Sequence, residues 1–63
     1  MDPKAGISVV IIAYNEANNI GRCIDSVADI ASEILVVDSF STDNTPAIAA
    51  SKGARLIQHA FEG

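Results

Sequence analysis

Two short apolar runs rich in β-branched residues constrain most strongly what this chain can fold into. Residues 7–13 read Ile-Ser-Val-Val-Ile-Ile-Ala and residues 34–37 read Ile-Leu-Val-Val; each stops abruptly, at Tyr14-Asn15-Glu16 and at Asp38-Ser39. Runs of this length, apolar at odd and even positions alike, suit strands covered on both faces within a parallel sheet. Between them, Ile20, Cys23, Ile24 and Val27 keep the i, i+3, i+4, i+7 spacing of one helical face, with Arg22, Asp25 and Ser26 off it. This predicts a helix with Cys23 as a small buried thiol on its apolar side. Asn15 is its candidate N-cap, because the side-chain oxygen can accept from an unpaired first-turn N–H.

The polar stretch after the second run leads into a second predicted helix over residues 43–52. Pro46 is tolerated in a first turn, where its missing N–H would lack a partner, and Lys52-Gly53 supplies a last-turn cation and a left-handed stop. Residues 54–58, Ala-Arg-Leu-Ile-Gln, begin a third strand. The order β-α-β-α-β predicts an α/β, Rossmann-like, three-layer domain with a parallel sheet over residues 7–63, after a disordered lead-in at residues 1–6. Ligands in such sheets sit at the carboxyl ends of the strands. Here those ends are Tyr14-Asn15-Glu16, Asp38-Ser39-Phe40 and His59-Ala60-Phe61.

Composition narrows the function classes. A domain of 63 residues buries only about 60% of the surface its unfolded chain exposes, so its stability is marginal. Even so, 49% hydrophobic against 19% charged residues is a core-forming balance. A net charge of −4 with only four Lys and Arg argues against nucleic acid as a partner. The single cysteine makes no internal disulfide, which fits a reducing, cytoplasmic setting. No apolar run approaches the roughly 20 residues of a membrane span.

Tyr14 and Asp38 leave neighbouring strands at the ligand edge. An aromatic face can stack on a nucleobase while a carboxylate accepts from a base N–H, and pyrimidine N3–H is a natural donor. A loop tyrosine covering the sheet edge and an aspartate capping its own turn fit those positions as well, and Asp38 could instead hold a ribose hydroxyl. No glycine follows the first strand before Gly21, so a dinucleotide fingerprint and a P-loop are both absent and a pyrophosphate is not cradled by the first turn.

The segment Ile7-Ser8-Val9-Val10-Ile11-Ile12-Ala13-Tyr14-Asn15-Glu16 resembles the opening strand and Tyr-Asn-Glu loop of family 2 glycosyltransferases with the GT-A fold. Val36-Val37-Asp38-Ser39-Phe40-Ser41-Thr42-Asp43-Asn44-Thr45 is similar to that family's Val-Val-Asp-Ser-Gly-Ser-Thr-Asp-Gly-Thr. Within the family the chain is most similar to the lipopolysaccharide-core glucosyltransferase-like branch. The resemblance implies a nucleotide site made by Tyr14, Asn15, Glu16, Asp38 and Ser39, with Tyr14 stacked on uracil and Asp38 on the base edge. Ser41, Thr42 and Asp43 read as structural residues of the second helix's first turn.

Phe40 and Asn44 stand where the family has glycines. A demand for positive φ at Phe40 would force that loop to rearrange. The resemblance also implies an inverting transfer from a UDP-linked nucleotide-sugar to an acceptor hydroxyl, with Mg or Mn held by an Asp-x-Asp motif after a fourth strand. No such motif, general base or acceptor half occurs in these residues, so the chain is expected to be the inactive, nucleotide-binding part of its enzyme, with any membrane association residing in other parts. Its first strand is expected to lie at an open sheet edge and to favour self-association. A non-enzymatic interaction module with the same element order is the alternative reading.

Overall fold

The computed structural model describes residues 6–60; most of the lead-in and Phe61 lie outside them. The elements run β1 (Ser8–Ala13), α1 (Ile20–Val27), β2 (Glu33–Asp38), α2 (Thr45–Ser51) and β3 (Arg55–Gln58). The strands are parallel in the order β1-β2-β3, as the two helical crossovers require.

The register brings the three strand ends level. Ala13 pairs with Asp38, and Asp38 with Gln58. The ladder runs one step further, through Ser39 N–H donating to the Ala13 carbonyl at 2.9 Å and His59 N–H donating to the Asp38 carbonyl at 2.9 Å. Tyr14, Ser39 and His59 therefore follow one another along a single sheet edge.

Both helices pack on one face of the sheet. Ile20 and Ile24 of α1 and Ala49 of α2 meet Ala13 and Val36 in one buried cluster, flanked by Ile11, Ile34, Ile48, Ala54 and Leu56. Alternation along the strands turns Val10, Ile12 and Ile57 the other way, where they are 59%, 67% and 45% exposed. The expectation of strands covered on both faces is thus corrected. Crossovers of one hand along a sheet that extends in one direction place successive helices on the same side, so the described residues supply two of the three expected layers.

Two expectations for α1 change as well. Its N-cap is Asn19, not Asn15, and the Asn19 side chain makes no capping bond; its Oδ1 accepts from Arg22 Nη2 at 2.8 Å instead. Cys23 is exposed. In a helix of only eight residues the buried line runs through Ile20 and Ile24, leaving Cys23 on its solvent margin. Helix α2 starts later than expected, with Asn44 at its N-cap, Pro46 in the first turn and Lys52 as C-cap, and Gly53 stops it at φ +86°.

Candidate functional site

Loop 14–19 leaves the carboxyl end of β1 and loop 39–44 leaves that of β2. Asn15 adopts φ +51° and Phe40 also adopts φ +51°, so each loop turns sharply within two residues of its strand. Phe40 therefore takes the left-handed conformation usual for glycine, and the loop does not rearrange to avoid it. Asn44, at φ −83°, makes no such demand.

The two loops are joined by hydrogen bonds that use nearly every polar residue of the second motif. Asn15 N–H donates to Ser41 Oγ at 2.8 Å, Glu16 N–H to Thr45 Oγ1 at 2.8 Å and Ala17 N–H to Asp43 Oδ2 at 3.1 Å. In return Thr42 N–H donates to Asn15 Oδ1 at 2.8 Å. Behind each hydroxyl stands a carboxylate: Ser41 Oγ–H donates to Asp38 Oδ1, and Thr45 Oγ1–H to Asp43 Oδ1. The Glu16 carbonyl then accepts from Asn19 and Ile20 N–H at 2.8 and 2.7 Å, which carries the loop straight into α1.

Asp38 is fully buried. Its Oδ2 accepts from Ser41 N–H at 2.9 Å and from Gln58 Nε2 at 3.4 Å, while Oδ1 takes the Ser41 hydroxyl. Both oxygens are thus engaged, by Ser41 of the following loop and by Gln58 of β3, and the carboxylate ties that loop to the sheet. Asp43 is exposed. The Thr45 hydroxyl, opposed by some desolvation and aided by the Thr45 and Ala17 N–H groups, holds its carboxyl below the ordinary aspartate value.

Of the other expected site residues, Tyr14 is 57% exposed and sits between the buried end of β1 and the left-handed Asn15. Glu16 is exposed and Ser39 half-buried. Asn15 joins the site through its backbone and side chain, but as a brace between loops. The resulting edge presents an aromatic ring, a serine and a carboxylate on fixed backbone, while the N–H groups of Asn15, Glu16 and Ala17 are already taken. With those three amides engaged, they form no nest of free N–H groups for a diphosphate. Among the described residues no group of three or more His, Cys, Asp or Glu could hold a metal ion.

The bracing role of Ser41, Asp43 and Thr45 across to the first loop is absent from the sequence reading, which gave Ser41, Thr42 and Asp43 to the helix turn alone. A signal was present: each hydroxyl lies two or three residues after an aspartate, Asp38 to Ser41 and Asp43 to Thr45, a spacing that lets a carboxylate orient a hydroxyl.

Comparison with known proteins agrees with this architecture. The family model described as Glycosyl transferase family 2 matches residues 8–62. An uncharacterized glycosyltransferase of Rickettsia felis is 55% identical over 51 residues, covering 81% of this chain and 18% of that protein. Glucosyl-3-phosphoglycerate synthase from Mycobacterium tuberculosis in complex with UDP superimposes with a TM-score of 0.76 at 42% identity, over 89% of this chain and 22% of that one. The same synthase with Mn2+, UDP and glucosyl-3-phosphoglycerate matches equally, with a TM-score of 0.76. The chain thus spans about a fifth of the length of these relatives. With both motif blocks on one sheet edge of the fold those relatives share, and a family match over nearly its whole length, the chain belongs to glycosyl transferase family 2.

Proposed function

We propose that this chain is the donor-nucleotide-binding portion of an inverting glycosyltransferase that moves a sugar from a UDP-linked donor to an acceptor hydroxyl. The observation that carries the reading is the placement of exposed Tyr14 beside Ser39 at the level ends of two parallel strands, on a loop whose backbone is held at three successive residues. The UDP bound by the mycobacterial synthase supports the choice of uracil. In this reading Tyr14 supplies the stacking face, Ser39 and Glu16 border the base and ribose, and Asn15 and Asp38 hold the loops that carry them. Mg or Mn would neutralise the diphosphate and would be held by segments outside the described residues, as would the general base and the acceptor site. The lipopolysaccharide-core glucosyltransferase-like branch, with a polysaccharide acceptor and a cytoplasmic site of action, is the finer form of the proposal.

Amide NMR during titration with UDP, with AMP as control, tests it. Part of a site should bind with a Kd of about 1 mM or weaker, equivalent to about −4 kcal/mol. UDP-selective shifts confined to residues 14–17 and 39–41, lost in Tyr14→Ala, are expected. A dispersed spectrum indifferent to UDP would overturn the reading in favour of an interaction module. Asp38→Ala is a poor probe, because it removes the anchor of Ser41 along with any ligand contact.

A further inference from the structure

The two hydroxyls between the loops have a fixed polarity. A carboxylate only accepts, so the single hydroxyl protons of Ser41 and Thr45 point at Asp38 and Asp43, and each oxygen can only turn its lone pairs elsewhere. Those lone pairs meet Asn15 N–H and Glu16 N–H, each at 2.8 Å. Thr45 is fully buried, and among the described residues no buried side-chain polar atom lacks a partner. The relay carboxylate, hydroxyl, amide thus occurs twice, on consecutive residues of the loop that follows Tyr14, and Asn15 Oδ1 locks the same loop from the other side.

We infer that Ser41 and Thr45 are positioning residues for nucleotide recognition, which set the backbone of residues 15 and 16 and so fix where the Tyr14 ring stands. The inference rests on the proposed UDP site, and it adds a division of labour. The second motif builds the binding surface of the first, and neither hydroxyl needs to touch the ligand. A loop held this way is ordered before the nucleotide arrives, so binding does not have to supply the ordering.

Thr45→Val removes the hydroxyl at nearly unchanged volume, and Thr45→Ser keeps it; Ser41→Ala is the second, less buried deletion. Two readouts on the whole chain separate the possibilities: amide exchange at residues 15–17 without ligand, and the UDP titration. Losing the oriented acceptor leaves a loop N–H unpaired, so Thr45→Val should speed exchange at Glu16 and weaken UDP binding about tenfold, the equivalent of 1.4 kcal/mol. Core amides of β2 should exchange as before, and Thr45→Ser should restore both readouts. Ser41→Ala should act likewise at Asn15, and decides the matter if Thr45→Val does not fold. Unchanged exchange and affinity in the deletion variants, or failure of Thr45→Ser to rescue, would overturn the inference. Should the unaltered chain ignore UDP, the nucleotide reading and the positioning role fall together, and the exchange data would show whether the brace exists as a structural feature alone.

Discussion

Phe40 holds a backbone conformation that costs an L-residue about 1 kcal/mol, on a ring still 56% exposed; the brace around it, anchored by Asp38 and Ser41, is what keeps the turn. Asp43 is the second carboxylate of that brace, beside Asp38. Its carboxyl is held below the ordinary value of 3.8, first by the Thr45 hydroxyl. A carboxyl whose folded value is depressed stabilises the folded state above its unfolded pKa and loses that contribution as pH falls through the lower, folded value. The brace should therefore be intact from neutral pH down to about 4 and should loosen below it. Following the Ala17 amide resonance from about pH 6 to pH 2 should show a shift in the acid limb that Asp43→Asn abolishes; a flat profile in the unaltered chain would contradict it. At this scale the sequence carried the identities but not the directions. Tyr14 and Asp38 were legible as neighbours at the strand ends. Whether the Asp38 carboxylate faced a ligand or its own turn depended on Ser41 and on Gln58, twenty residues further on, and local spacing does not encode that.

The elements show where sequence pattern suffices and where it does not. Strands and helices were legible because the apolar periods of residues 7–13, 20–27 and 34–37 are unambiguous, whereas the bare side of β1 was not, since Val10 and Ile12 look the same in sequence whether a layer covers them or not. Helix caps depended on competition among side chains, as when Arg22 takes the Asn19 oxygen. Two glycines make opposite predictions for the same substitution. Gly53 ends α2 at φ +86°, and a methyl added there would find nothing within 4 Å, so Gly53→Ala should cost about 1 kcal/mol through backbone strain alone. Gly21 lies inside α1, where a methyl would meet Lys52 Cε at 3.4 Å and Ile48 Cγ2 at 3.5 Å, ordinary contact distances between the two helices. Gly21→Ala should stabilise by about 0.5 to 1 kcal/mol, because alanine loses less backbone freedom in a helix. Chemical denaturation of the pair should place one midpoint above that of the unaltered chain and the other below it; movement in the same direction would refute the assignment of either glycine.

Across the molecule, the helices and the braced loops bury one face of the sheet and leave the other apolar and open. Val10, Ile12 and Ile57 line it at 59%, 67% and 45% exposure, with Leu35 and Val37 half-buried among them, and among the described residues β1 is also an edge strand. A bare apolar face joined to an unpaired edge is a surface that a second copy of the chain can cover, by stacking or by strand addition. The net charge of −4 opposes association only weakly at physiological ionic strength, where charges more than about 8 Å apart are screened. We therefore expect the isolated chain to self-associate, with a sedimentation-average mass that climbs with concentration. Ile12→Lys places a charge on both the face and the edge while sparing the core, since Ile12 is the most exposed of these residues. It should return the chain to monomer with its circular dichroism unchanged. A clean monomer of the unaltered chain at about 1 mM, where even a contact of about −4 kcal/mol would show, would mean that the open face is tolerated in water as it stands.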